Sequence, residues 1–149
     1  KDIVEEVKKL IREKWEAKKW VGTILTFLSS KKIPMAIASS SEYSIIHTVV
    51  EKFWIQDYFQ LIYSAEEEKY WKPHPAVYIS TCNKLWVIPE KTITFEDSFN
   101  GVLSAKSAKI KCIAVPEEVN KSNKKFVIAD MILNSLTEFG EEEWNNLNN

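Results

Sequence analysis

Two adjacent acidic residues, Glu96 and Asp97, follow a short β-prone run at 92–95 and precede a segment with a helical pattern. Hard divalent cations such as Mg²⁺ prefer carboxylate oxygens, and open α/β sheets bind ligands at the carboxyl ends of their strands. The pair therefore indicates a metal site. The structural alternative is that Asp97 caps the next helix, with Ser98 or Asn100 sharing the capping, while Glu96 is solvated.

Three hydroxyl side chains follow an earlier apolar run in the same way. Residues 34–38 predict a strand, Ser39, Ser40 and Ser41 come next, and residues 42–53 predict a helix. Hydroxyls and free backbone N–H groups at the start of a helix suit a phosphate group. Plain N-capping by these serines is the alternative, and both roles can hold together.

One cation lies between these two segments. Lys72 begins the sequence Lys-Pro-His-Pro at 72–75, where two prolines stiffen a turn ahead of another predicted helix. We expect Lys72 to bind a phosphoryl group and to balance the carboxylates; the alternative is an ordinary surface lysine. His74 is interpreted as part of the turn.

Alternating helices and strands must position these side chains. We predict helices at 2–18, 21–31, 42–53, 75–85, 100–108 and from Ser135, and strands at 34–38, 60–64, 92–95, 111–115 and near 126–129. This alternation favours an α/β fold in which right-handed crossovers build a parallel sheet covered on both faces.

Composition excludes some classes of protein. The 149 residues are 45% hydrophobic, enough for the core of one domain. A formal charge of −1 gives no basic field for nucleic acid, and no apolar run is long enough to span a membrane. Cys82 and Cys112 lack a metal-type spacing, so we predict reduced structural thiols in a cytoplasmic protein.

The segments ASSS at 38–41, KPHP at 72–75 and FEDSFNGVLSAK at 95–106 resemble, in this order, motifs two, three and four of the haloacid-dehalogenase-like phosphotransferases. The resemblance is closest to the β-phosphoglucomutase and 2-deoxyglucose-6-phosphatase branch, and it covers about residues 19 to 139. It implies a Rossmann-like parallel sheet with flanking helices.

The resemblance also implies roles for individual residues. Lys72 and Asp97 correspond to catalytic residues, Ser39, Ser40 and Lys72 to phosphate ligands, and Glu96 and Asp97 to ligands of a Mg²⁺ cofactor. The expected activity is a Mg²⁺-dependent phosphatase that acts through an aspartyl-phosphate on a small phosphorylated sugar or sugar alcohol. The alternatives are a β-phosphoglucomutase-type phosphomutase and a non-catalytic binding domain of the same fold. We expect a monomer when the protein is full length.

One family feature is absent from the sequence. The resembling enzymes carry their nucleophile in an Asp-x-Asp motif on the first core strand, and these 149 residues contain no Asp-x-Asp. We interpret residues 1–18 as the last helix of a cap, 19–140 as an incomplete core domain and 141–149 as a polar, frayed tail. We therefore expect the first strand, which lies between the strands leading to Ser39 and Glu96, and most of the helical cap to be missing.

The composition is unusual in having six Trp and only three Gly. Trp54 and Trp86 follow predicted helices at the left-handed C-terminal site that favours Gly. Trp20 and Trp71 stand where the resembling family usually has Gly. We hypothesise that UGA codons for glycine were translated as tryptophan, in which case mass spectrometry of the native protein would find Gly at these four positions. The alternative is four separate natural substitutions.

Overall fold

The computed structural model describes residues 3–16 and 20–148. Its helices are α1 (Ile3–Lys14), α2 (Trp20–Ser30), α3 (Tyr43–Lys52), α4 (Ala76–Leu85), α5 (Phe99–Ser107) and α6 (Glu141–Asn148). Its strands are β1 (Ala36–Ser39), β2 (Leu61–Ser64), β3 (Ile93–Glu96), β4 (Lys111–Ala114) and β5 (Met131–Ile132). The α/β class predicted from the sequence is confirmed.

The strands form two parallel sheets. β1 pairs with β2, whereas β3, β4 and β5 form a second sheet in that order. Within the described part of the chain, no strand pairing joins β1 to β3. The sheet is therefore interrupted at the position where the sequence led us to expect a missing strand.

Helices cover both faces of the larger sheet. Residues 112–114 of β4 are fully buried, as expected for a central parallel strand packed on two sides. On one face Cys112 joins a core cluster with side chains of α4 and α5, including Val77 and Val102. On the other face Ile113 packs in a cluster with α2 and α6. No helix in the described ranges is long and apolar enough to cross a membrane.

The predicted helix 2–18 is wrong at its end, because α1 stops at Lys14. The Lys52 ammonium of α3 donates hydrogen bonds to the carbonyl oxygens of Ile11 and Arg12 at 2.5 and 2.9 Å. It thereby gives hydrogen-bond partners to two carbonyl groups in the last turn of α1. Ile11 is fully buried. Residues 17–19 lie outside the described residues.

The predicted strand near 126–129 is also wrong. Residues Lys124–Ile128 form a 3₁₀ helix, and the strand lies at Met131–Ile132. The apolar run suggested a strand, but only Phe126 is buried, where its ring packs on Phe99, and Val127 is 75% exposed. Alternating burial, which a half-buried strand requires, is therefore missing.

The C-terminal predictions need correction as well. Ser135 does not start a helix; its hydroxyl accepts the Thr137 N–H and caps a 3₁₀ turn at Leu136–Glu138. Residues 141–148 are not a frayed tail but helix α6. Leu147 and Trp144 lie three residues apart and pack into the core cluster beside α2. Residue 149 lies outside the described residues.

Two of the four tryptophans occupy left-handed positions. Trp54 has φ 55° and Trp86 has φ 58°, and each follows a helix whose end closes in a Schellman pattern, by Ile55 N–H to Val50 and Val87 N–H to Cys82. Trp71 and Trp20 differ in this respect, because Trp71 has no positive φ and Trp20 begins a helix.

Left-handed backbone conformations are not confined to tryptophan residues in this chain. Lys32 and Lys109 have φ values of 54° and 64°. The hypothesis of a reassigned codon therefore stays a prediction for mass spectrometry.

We predict that Trp54→Gly and Trp86→Gly each raise the free energy of unfolding by about 1 kcal/mol, because a left-handed backbone costs an L-residue roughly 1–2 kcal/mol. The two indoles are 86% and 94% exposed, so little packing is lost. Chemical denaturation measures the effect. Trp71→Gly is the control: it removes an exposed indole from a residue that is not left-handed, and an equal gain there would show that backbone strain is not the cause.

Candidate functional site

The carboxyl ends of β1 and β3 meet at the ammonium of Lys72. Its Nζ lies 2.5 Å from Glu96 Oε1 and 3.1 Å from the carbonyl oxygen of Ala38. The side chains of Lys72 and Glu96 are only 11% and 8% exposed. Lys72 is therefore not an ordinary surface lysine: it forms a nearly buried ion pair that bridges two sheets with no strand pairing between them.

The turn that carries Lys72 is held by its neighbours. The His74 N–H donates to the Trp71 carbonyl oxygen at 2.9 Å, and the Ser104 hydroxyl of α5 donates to the His74 carbonyl oxygen at 2.8 Å. The His74 ring packs on Tyr70, and its Nδ1 accepts the Ala76 N–H at the start of α4. His74 thus shapes the turn, as the sequence indicated.

The three serines lie at the carboxyl end of β1 in a short turn. Ser39 Oγ accepts the Ser41 N–H at 3.0 Å, and Ser39 and Ser40 are half-buried. Ser41 does not cap α3, because the cap residue is Glu42 and it makes no side-chain cap bond. The alternative of plain N-capping by these serines is not supported for the described helix.

The acidic run after β2 is not simply solvated. Glu66 Oε2 accepts the Tyr43 N–H at the start of α3 at 2.6 Å, and Glu67 accepts the Tyr43 hydroxyl. Glu68 accepts the Tyr63 hydroxyl at 2.8 Å. Each carboxylate thus has a defined donor, and together Glu66 and Glu67 form an acidic rim beside the serine turn.

Asp97 is left free by the capping of α5. Ser98 is the cap residue, and its Oγ accepts the Gly101 N–H at 3.1 Å. Asp97 is exposed and has no hydrogen bond or ion pair with the described residues. The sequence-based alternative, in which Asp97 caps the helix, is therefore wrong. Asn100 lies in the first turn of α5, where it too is exposed.

Gly101 makes room for the Glu96 carboxylate. A Cβ atom at Gly101 would lie 1.9 Å from Glu96 Oε2 and 2.2 Å from its Cδ. No real Cβ contact is that short. A glycine is therefore required at this position of α5 if Glu96 is to keep its present rotamer beside Lys72.

Tyr78 is the site residue that the sequence did not reveal. Its hydroxyl donates to Glu96 Oε1 and lies 3.1 Å from Thr94 Oγ1 and 3.4 Å from Lys72 Nζ. Burial first, and then the negative charge of Glu96, raise the pKa of Tyr78 well above its ordinary value. The hydroxyl therefore stays protonated and remains a donor at neutral pH. The helical spacing of Val77, Tyr78, Thr81 and Cys82 marks the inner face of α4 but does not disclose this contact.

The donor chemistry of the acidic pair fits a hard cation. Asp97 presents an exposed carboxylate that structural contacts do not use, and Glu96 provides a second carboxylate, paired here with Lys72. Within residues 3–16 and 20–148 there is no group of three or more His, Cys, Asp or Glu side chains that could hold a metal. Two carboxylates alone could provide only part of the about six ligands that a hard divalent cation takes.

We predict that Gly101→Ala lowers the free energy of unfolding by about 1–3 kcal/mol, because an added methyl group in a filled site forces neighbouring groups to move. The Glu96 carboxylate is the group in the way. Chemical denaturation and a crystal structure of the variant measure the loss and the displacement. Gly22→Ala in α2 is the matched control: nothing lies within 4 Å of its added Cβ, and helical Ala is favoured over Gly by about 0.5–1 kcal/mol. Equal effects of the two substitutions would contradict the packing of Gly101 against Glu96.

Known proteins share both sequence and fold with this chain. It is 38% identical over 104 residues to hexitol phosphatase B of Escherichia coli strain K12, a match that covers 70% of this chain and 47% of that protein. CbbY from Rhodobacter sphaeroides, solved in complex with phosphate, superposes with a TM-score of 0.84 at 26% identity over 92% of this chain and 62% of that one. The β-phosphoglucomutase of Clostridium difficile shares the fold with a TM-score of 0.78 at 22% identity, over 97% and 60% of the two chains.

The chain spans about half the length of the curated relatives that it matches. A family model described as haloacid dehalogenase-like hydrolase matches residues 1–115. Together with the fold and the three motifs, this match shows that the chain belongs to the haloacid dehalogenase-like hydrolase family.

Proposed function

We propose that these residues form part of a Mg²⁺-dependent phosphatase that hydrolyses the phosphate ester of a small sugar or sugar alcohol. The observation that carries the proposal is the placement of the Lys72 ammonium beside Glu96 at the carboxyl ends of β1 and β3. The similarity to hexitol phosphatase B supports a phosphorylated sugar alcohol as the substrate class.

Each residue has a role that its surroundings support. A phosphate monoester is doubly charged near neutral pH, so an anionic nucleophile approaches it only when cations neutralise the phosphoryl oxygens. Lys72 supplies one such charge from a nearly buried position, where water screens it weakly. The Ser39 hydroxyl and the Ser40 N–H would bind the remaining phosphoryl oxygens.

The acidic pair would hold the metal. Asp97 is the direct ligand in this proposal, because no described contact competes for its carboxylate. Glu96 binds the metal directly or through water, and it also keeps the Lys72 ammonium in place. A bound Mg²⁺ would be the second cation beside the phosphoryl group.

The nucleophile is the missing part. The 149 residues contain no Asp-x-Asp, so we propose that the nucleophile is an aspartate outside them. Its carboxylate would attack the phosphorus to form the aspartyl-phosphate while the P–O bond to the sugar breaks and the sugar leaves as an alcohol, taking up a proton from solvent. Water would then hydrolyse the aspartyl-phosphate, which releases inorganic phosphate and restores the aspartate. The break between β1 and β3 supports this proposal, since one parallel strand placed there would end beside Lys72. The division into a cap helix at 1–18 and a core at 19–140, the monomeric state and the cytoplasmic location stay predictions.

The charges of Glu66 and Glu67 beside the serine turn do not distinguish a phosphatase from a phosphomutase, because they would also act on the first phosphate bound at Ser39 and Ser40. The phosphomutase alternative stays a prediction.

We predict that Lys72→Ala and Asp97→Asn each lower the rate of hydrolysis of a hexitol phosphate by about 100-fold or more in the full-length protein, because each removes a charge matched to the transition state. Ser39→Ala should reduce the rate less, since a neutral hydroxyl contributes less than an ion. The assay is release of inorganic phosphate in the presence of Mg²⁺. The 149-residue chain alone should release none above the blank.

Two surface variants are matched controls. Lys69→Ala removes an exposed lysine three residues from Lys72, and Asp57→Asn removes an exposed carboxylate. Both should keep the full rate. A full-length protein that binds phosphorylated sugars without hydrolysing them would favour the non-catalytic alternative, and turnover by the 149 residues that disappears in Asp97→Asn would contradict the external nucleophile.

A further inference from the structure

We propose that Tyr78 is a positioning residue of this site, which fixes the Glu96 carboxylate and the Lys72 ammonium relative to each other. The inference rests on the proposed function, because it assigns Tyr78 a part in preparing the metal and phosphate ligands. Tyr78 itself does not contact the reacting atoms in this proposal.

The contacts of the Tyr78 hydroxyl carry the inference. It donates to Glu96 Oε1 and lies within hydrogen-bonding distance of Thr94 Oγ1, at 3.1 Å, and of Lys72 Nζ, at 3.4 Å. The Lys72 ammonium also lies 4.6 Å from the centroid of the Tyr78 ring. One side chain, 5% exposed, thus contacts both members of the ion pair.

The location of Tyr78 means that this contact connects the two sheets. Its helix, α4, packs on β1 and β2, whereas Thr94 and Glu96 belong to β3 in the other sheet. No strand pairing of the described residues links these two sheets. Tyr78 and Lys72 therefore connect Glu96 to the first sheet through side-chain hydrogen bonds. Of the two, Tyr78 belongs to a helix that packs on that sheet, whereas Lys72 lies in a turn.

The Glu96 carboxylate is restrained on both oxygens. Oε1 accepts hydrogen bonds from Lys72 and Tyr78, and Oε2 occupies the space that a Cβ atom would fill at Gly101. If the hydroxyl is removed, only the Lys72 ammonium fixes Oε1. That ammonium must also serve the phosphoryl group, so the carboxylate would lose its restraint when the substrate binds. Partners of this kind typically change metal affinity by about 10–100-fold when they are removed.

The test compares two buried tyrosines. Tyr78→Phe removes the hydroxyl and keeps the ring under Lys72. Tyr63→Phe is the matched control, because Tyr63 is 4% exposed and its hydroxyl donates to a carboxylate outside the site, that of Glu68, at 2.8 Å. Manganese, a paramagnetic substitute for magnesium, is titrated into each full-length protein, and free Mn²⁺ is measured by electron paramagnetic resonance without substrate.

We expect Tyr78→Phe to raise the dissociation constant for Mn²⁺ by about 10-fold or more, and to raise the Mg²⁺ concentration needed for half-maximal hydrolysis in parallel. Tyr63→Phe should change neither, although both variants should lower the melting temperature by similar amounts. Equal Mn²⁺ affinity in the two variants, in a protein that binds Mn²⁺ and hydrolyses phosphate esters, would overturn the positioning role alone. Absence of both Mn²⁺ binding and hydrolysis in the unsubstituted protein would overturn the proposed function, and the positioning role with it.

Discussion

The geometry of the candidate site depends on a nearly buried ion pair between Lys72 and Glu96. Burying two charges carries a large desolvation penalty, which the attraction offsets only when the geometry is good and further hydrogen bonds satisfy the remaining atoms. Here the Ala38 carbonyl oxygen accepts from the ammonium, and Tyr78 donates to the carboxylate. Removing one partner of such a pair typically costs about 3–5 kcal/mol. The pair is therefore a polar link between two sheets that have no strand pairing between them in the described residues and that also share two hydrophobic clusters.

Other local features follow from that constraint. Gly101 must lack a side chain because the Glu96 carboxylate occupies the space, and the Ser104 hydroxyl holds the turn that carries Lys72. Ser98 caps α5 and so leaves the neighbouring Asp97 without a structural task. The result is one carboxylate that is fixed and one that is free, on consecutive residues. This division suits a site in which one acid orients a cation and the other is available to bind a metal.

The sequence predicted the parts of the molecule that depend on local pattern. Polar residues at strand ends drew attention to Ser39 and the acidic pair, because parallel strands bring their carboxyl ends to one edge, and the proline-framed turn drew attention to Lys72. The structure brings Lys72 and Glu96 into contact. The prediction failed where tertiary contacts decide the outcome. At the end of α1, an ammonium from another helix binds the free carbonyl groups. At residues 141–148, two apolar side chains pack a largely exposed, acidic helix onto the core. The contact of Tyr78 with Glu96 was not predicted for the same reason, since it joins residues associated with different sheets.

A double-mutant cycle on Lys72 and Glu96 tests most directly whether the ion pair couples the two sheets. Lys72→Met, Glu96→Gln and the double variant are unfolded with urea, and the coupling free energy is obtained from the three changes. We expect a coupling of about 1–3 kcal/mol, because contacting residues in one hydrogen-bonded network are not additive. Additivity within about 0.3 kcal/mol would show that the two charges act independently and that the pair does not couple the two sheets.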